Sequence, residues 1–177
     1  RDIKYLVTGD MGGTSYDVGV VIKGKAASRN SFEVLKHPIL MPSIDILAIG
    51  AGGGSITWID KGGALNVGPI SAGADPGPAC YGKGGENPTV TDTNVVLGLI
   101  DPVFFCGGEM KIFPELAVEA LKKKVAIPLK QEILESARDI FLIPLVLQEA
   151  IDKKVTIEKG LDPVDFVLCS YGGAGSI

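Results

Sequence analysis

The stretch TGDMGGTSYDVGVV, Thr8–Val21, leaves its backbone few options. Alternating apolar sequence flanks Gly-Gly-Thr-Ser on both sides, so two strands must reverse direction over about four residues. Asp10 and Asp17 bracket the reversal. Two structures satisfy this pattern. One is a plain hairpin with glycine at the bend. The other is a phosphate-holding turn, in which Gly12 and Gly13 let an anion approach backbone N–H groups and Thr14 and Ser15 add hydroxyl donors. In that second reading Asp10, at a strand end, is placed to hold a magnesium ion through its waters, because magnesium sheds water reluctantly. It is not a Walker loop, since G-K-[ST] is missing.

Other glycine clusters bear on the choice, for 24 of the 177 residues are glycine. At the far end, VLCSYGGAGS runs a hydrophobic strand into Gly172, Gly173 and Gly175. Ligands of α/β sheets sit beyond the carboxyl ends of strands, where a glycine pair can pass under a flat base or beside a sugar. IGAGGGS (49–55) lacks the third glycine and the long following helix of a dinucleotide fold. Gly52, Gly53, Gly54 and Ser55 are instead expected to line a substrate cleft, next to a folded loop at 69–89. Asp75, Asp92 and Asp101 are candidate acids or ligands, although Asp92 serves equally as a helix cap. The lone His37, between Lys36 and Pro38, reads as an ordinary loop residue. Serine-hydrolase chemistry finds no G-x-S-x-G.

Apolar residues make up 46% and charged residues 21%, a globular composition sufficient for one domain. A net charge of −4, without a basic patch, argues against a nucleic-acid partner. The run Lys122–Lys124 reads as a solvated helix end. No apolar stretch is long enough for a membrane span. Cys80, Cys106 and Cys169 form no C-x-x-C pair, which argues against a disulfide framework or structural zinc and fits a reducing, cytoplasmic setting. The chain starts directly in strand-like sequence and stops in a glycine loop, so it is expected to be a fragment of a longer polypeptide.

The elements read as an α/β domain with a mixed sheet. Strands at Ile3–Gly9, Tyr16–Ile22 and Ala27–Leu35 form an N-terminal antiparallel meander, with extended sequence at 35–45. A hairpin joins Ser55–Asp60 to Ala64–Gly68. Helices follow. Thr91 or Asp92 caps the first, and Pro114 opens the second, whose Leu116, Ala120 and Leu121 share a face. Lys130–Lys159 is a long helix with Ile133, Ala137, Ile140 and Phe141 inward. Pro144 is expected to kink or break it. Gly160 ends it, before a last strand at 165–171. The whole, residues 1–177, is expected to be one domain with a glycine-rich insertion at about 36–90.

The segments DMGGTSYDV, IGAGGGSITWID, VGPISAGADPGPACYGKGG, TVTDTNVVLG and YGGAGS resemble the hydantoinase A / 5-oxoprolinase family. That family includes N-methylhydantoinase, 5-oxoprolinase and subunits of acetone and acetophenone carboxylases. The resemblance runs from about Asp10 to Gly175. It implies an actin-like (ribonuclease H-like) ATPase fold, in which two lobes hold ATP and Mg²⁺, and it matches this chain to the second lobe. Asp10, Gly12, Gly13, Thr14 and Asp17 correspond to the second-lobe phosphate motif, and Gly172, Gly173 and Gly175 to the adenosine loop. The implied activity is ATP-dependent opening of a small cyclic amide, with a hydantoinase B-type partner subunit or domain. ATP-dependent ketone carboxylation without biotin is the alternative, and a non-catalytic actin-like binding module is the alternative of another class. Without the first lobe the fragment alone is expected to be inactive. The chain departs from the family pattern at Leu47, where many relatives carry histidine, at Ser176, where proline is usual, and at Pro144.

Overall fold

The computed structural model describes residues 3–177. Strands β1 (Tyr5–Met11) and β2 (Tyr16–Ile22) pair antiparallel in unbroken register from Tyr5↔Ile22 to Met11↔Tyr16. Lys23 and Gly24, both at positive φ, turn β2 into β3 (Lys25–Ala26), the backbone that a two-residue hairpin requires. The expected third strand at 27–35 is not continuous. It divides into β4 (Ser28–Arg29) and β5 (Phe32–Val34), which pair with β7 (Ser43–Ile44) and β6 (His37–Ile39). The break falls at Asn30–Ser31; beyond it Leu35 and Lys36 are both left-handed (φ 51 and 67), which folds β5 straight back onto β6.

β8 (Ile46–Ile49) returns to the main sheet and pairs antiparallel with β2. β9 (Ser55–Ile59) and β10 (Leu65–Ser71) form a separate hairpin. α1 (Val90–Val96) begins earlier than expected, because Thr89 is its cap. The Thr89 side chain accepts from the Asp92 N–H, and the Asp92 carboxylate accepts from the Thr89 N–H, a reciprocal capping box. α2 (Pro114–Leu121) buries Ala117, Ala120 and Leu121, leaving Leu116 at the margin. The expected helix end at Lys122–Lys124 is instead a π-helical turn, Lys122–Ala126, that runs on into α3 (Ile127–Leu129). Its three lysines are exposed. Lys130, left-handed at φ 57, stops this run.

α4 (Ile133–Ile157) is helical throughout and passes through Pro144 without the expected break. A proline removes one hydrogen bond from a long ladder. Buried residues on both sides of it, Ala137 and Ile140 before, Ile151 and Val155 after, hold the two halves to one core. Ile133 and Phe141 are only partly covered. β11 (Val167–Tyr171) closes the chain, parallel to β1. The sheet order is therefore β11-β1-β2-β3, with β8 also on β2, and Val7, Val18, Val20 and Leu121 join the α4 residues in the main core. No described helix is long and apolar enough to cross a membrane.

One polar contact pins α4 to the sheet. The Tyr16 hydroxyl donates to both carboxylate oxygens of Asp152, at 3.2 and 3.3 Å. Burial, and then the neighbouring carboxylate, push the Tyr16 phenol up. Burial pushes Asp152 above its ordinary range, and the Tyr16 bond only partly offsets this. A carboxyl raised by folding holds its proton more tightly in the native state. Its contribution is thus full below the ordinary carboxylate pKa and is lost as pH rises through that range and beyond it. Asp152→Asn keeps an acceptor for Tyr16 and removes the ionisation. The variant is expected to gain stability relative to the parent as pH rises from about 3 to about 7. Urea melts across that window read the difference, and a constant difference at all pH values counts against this account.

Candidate functional site

The sheet direction decides where the glycine loops go. β11 is parallel to β1, and β8, antiparallel to β2, is also parallel to β1. The carboxyl ends of all three strands therefore emerge at one end of the sheet. The loops leaving them are Gly12–Ser15, Gly50–Gly54 and Gly172–Gly175.

In the first loop, the Gly12 N–H donates to the Ser15 carbonyl at 3.1 Å and closes the turn. The N–H groups of Gly13, Thr14 and Ser15 donate no hydrogen bond among the described residues. Asp10 and Asp17 stand directly opposite each other in the β1–β2 register, so their side chains share a face at close range. The Ser15 hydroxyl donates to Asp17 Oδ2 at 2.8 Å. The Thr14 and Ser71 hydroxyls are 3.5 Å apart.

The second loop is the seat of the first. Gly53 N–H donates to the Gly12 carbonyl at 2.9 Å and Gly54 N–H to the Gly13 carbonyl at 2.6 Å. A Cβ on Gly52 would lie 2.6 Å from Thr14 backbone atoms, so only glycine lets the two backbones touch. Gly52, Gly53, Gly54 and Ser55 are all buried. Their place is beneath the turn rather than on an open cleft wall, and only Gly53 among them reaches the cavity described below. α1 extends the support: the Thr91 N–H and hydroxyl both donate to the Gly53 carbonyl, at 2.7 and 2.9 Å.

The third loop locks on from the other side. Ala174 N–H donates to the Met11 carbonyl at 2.9 Å. Gly172 is left-handed at φ 95, and a Cβ there would collide with the Asp10 carboxylate and the Met11 carbonyl. Gly175 N–H bonds back to the Gly172 carbonyl at 3.2 Å.

Together the three loops bound one cavity of about 740 Å³. It is lined by loop residues Gly12, Gly13, Gly53, Gly173 and Ala174, and by Tyr81, Thr91, Asn94, Leu99–Asp101, Phe104–Cys106, Ser176 and Ile177. Its volume lies in the range that takes a drug-sized ligand, about 300–1,000 Å³. Of the other candidates, Asp101 is on the wall, its Oδ1 accepting from the Val103 N–H at 2.8 Å. Asp75 is exposed and His37 lies on the β5–β6 hairpin, and neither lines the cavity.

Asp92 is wholly buried and accepts four hydrogen bonds, from the N–H groups of Ala79, Cys80 and Thr89 and from the Thr89 hydroxyl, at 2.7–3.1 Å. It therefore fastens the proline-rich 76–82 loop to α1. Burial, with Asp92 alongside, pushes the Cys80 thiol up, so this cysteine is no nucleophile. All three cysteines are free.

Asn94 went unread in the sequence. It is 3% exposed, and its Oδ1 is buried without a hydrogen-bond partner; such an orphan costs about 1–3 kcal/mol. A carboxamide inside an otherwise apolar helical run, TNVVLGLI, was the available signal.

Among the described residues, no three His, Cys, Asp or Glu side chains gather into a metal cluster. Zinc-type coordination has no basis here. Two adjacent carboxylates, Asp10 and Asp17, beside a loop with spare N–H donors suit magnesium, which keeps most of its waters and shares phosphate oxygens.

The hydantoinase/oxoprolinase family model matches residues 1–177. The chain is 42% identical over 176 residues to the caprolactamase subunit alpha of Pseudomonas jessenii, covering 99% of this chain and 25% of that protein. It is 41% identical over 175 residues to the acetophenone carboxylase gamma subunit of Aromatoleum aromaticum, covering 97% of this chain and 24% of that one. Its fold superimposes on the nucleotide-free structure of acetone carboxylase, an enzyme of ATP-dependent acetone carboxylation, with a TM-score of 0.91 at 31% identity, covering 98% of this chain and 24% of the other. The chain thus spans about a quarter of the length of these relatives. With the family model matched from end to end, the chain belongs to the hydantoinase/oxoprolinase family.

Proposed function

We propose that this chain is the nucleotide-holding lobe of an ATP-dependent enzyme that opens small cyclic amides. The observation that carries the reading is the convergence of three glycine loops, at the ends of three parallel strands, on one cavity. A polyphosphate fits the turn: the glycine backbone at Gly12 and Gly13 is open, and hydroxyls and unpaired N–H groups surround it. Asp10, with Asp17, would hold Mg²⁺, which supplies neutralisation of phosphate charge when bound. Gly172–Gly175 would take the adenosine side.

An amide carbon is a poor electrophile. In the proposed reaction the amide oxygen takes the terminal phosphoryl group of ATP and ADP leaves. Water then adds at the activated carbon, the ring C–N bond breaks as the nitrogen takes a proton, and a second water cleaves the resulting acyl phosphate to carboxylate and phosphate. This chain's part is to orient the phosphates and stabilise charge. The remaining site groups would come from a first lobe and a partner of the hydantoinase B type; the relatives are themselves named as subunits.

A ketone carboxylase is the second reading, favoured by the TM-score of 0.91 to acetone carboxylase. Phosphate release by the full-length protein with its partner, given ATP and either a lactam or hydantoin panel or a ketone with bicarbonate, separates the two. Cyclic-amide-dependent release without bicarbonate is expected. A requirement for bicarbonate and ketone selects the second reading, and no ATP turnover with any substrate sinks both.

A further inference from the structure

α1 is packed on all sides, with Val90 to Val95 buried, and its polar side chains are paired with one exception. Thr91 donates to the Gly53 carbonyl, Thr93 to the Thr89 carbonyl at 3.0 Å, and Asp92 accepts four bonds. Asn94 alone keeps a buried acceptor with no donor. It lines the cavity that Gly12, Gly13 and Gly173 also line. The cavity is also lined by three aromatic residues, Tyr81, Phe104 and Phe105; Phe104 is 70% exposed, and the Tyr81 and Phe105 rings meet tilted at 48° with centroids 5.7 Å apart. Flat apolar rings beside an unpaired carboxamide suit a flat heterocycle that offers an N–H next to a ring acceptor.

We propose that Asn94 is the specificity-determining residue for the nucleotide base and selects adenine. The proposal rests on the nucleotide reading above. Phosphates at Gly12–Gly13 leave the base to the aromatic side of the cavity. There the Asn94 oxygen accepts from the adenine exocyclic amine while its amide N–H donates to the adjacent ring nitrogen, the two-bond pairing that asparagine makes with adenine. Guanine shows two acceptors on its corresponding edge and loses one of the bonds.

Calorimetric titration of the full-length protein with the magnesium complexes of ATP, GTP and inorganic tripolyphosphate tests this. The wild type is expected to prefer ATP to GTP. Asn94→Ser and Asn94→Ala are expected to weaken ATP about 5- to 150-fold, the range of one bidentate base contact, while leaving tripolyphosphate unchanged. Asn94→Asp, which keeps an acceptor for the exocyclic amine but has no donor for the ring nitrogen, is expected to weaken ATP without gaining GTP, because guanine sets two acceptors against its two acceptors. Unchanged tripolyphosphate binding also shows that the variants are folded. The proposal is overturned if ATP affinity stays within threefold. It is equally overturned if ATP, GTP and tripolyphosphate weaken together, or if only the KM for a cyclic amide moves. A wild type that binds none of the three instead removes the nucleotide reading itself.

Discussion

Asp10→Asn in the full-length protein is expected to reduce ATP-dependent turnover by about 100-fold or more, with little change in stability. The aspartate sits at the last-but-one position of β1, opposite Asp17 and against the Gly172 loop. Asparagine has the same shape, so the contacts with the Gly172 loop persist. What disappears is the negative charge that would hold Mg²⁺ against the phosphates. Losing one electrostatic element of a preorganised phosphoryl-transfer site typically costs two to three orders of magnitude, about 10²–10³. Relief of the like-charge pair with Asp17 would, if anything, stabilise the hairpin. Phosphate release at saturating ATP, beside a thermal melt, separates the two effects. Turnover within about threefold of wild type would remove Asp10 from the machinery and favour a non-catalytic binding module.

The largest stability effect is expected at Asp92. Asp92→Ala strips the acceptor from three backbone N–H groups and one hydroxyl in a site with no solvent access. Each orphaned buried donor costs about 1–3 kcal/mol, and partial relaxation of the loop brings the expected total to about 4 kcal/mol. For a domain of this size that is a drop in melting temperature of about 8–16 °C. Asp92→Asn keeps one oxygen and is expected to fall midway. Both variants should also weaken substrate-dependent activity, since the loop fixed by Asp92 carries Tyr81 to the cavity wall. A urea midpoint showing less than about 1 kcal/mol for Asp92→Ala would mean that water replaces the carboxylate.

Much of the local structure was legible in advance. Alternation placed β2 at Tyr16–Ile22 to the residue, and proline marked the start of α2 at Pro114. Pattern failed where a single backbone torsion outweighed it. Leu35 and Lys36, neither a usual left-handed residue, fold the end of the expected strand back into a hairpin. At Pro144 a break, one of the two outcomes expected there, did not occur, and packing on both sides holds α4 to one core. The α1 cap was misplaced because Thr89, Thr91 and Asp92 are all good caps. Only the reciprocal bonds between Thr89 and Asp92 distinguish them.

The sequence by itself determined that two glycine-rich turns end strands, that Asp10 and Asp17 flank the first, and which family motifs they match. Those are properties of neighbouring residues, governed by φ/ψ preference and alternation. Only the tertiary structure decided what the glycines face. Gly52 and Gly54 read as cleft residues, yet they lie under the Gly12–Ser15 turn, because β8 runs parallel to β1 and brings this loop's backbone against Gly13 and Thr14. Asn94 had no visible role until α1 was packed against that seat with its carboxamide left unpaired. Such facts depend on strand direction and on residues far apart in the chain, and no local preference encodes them.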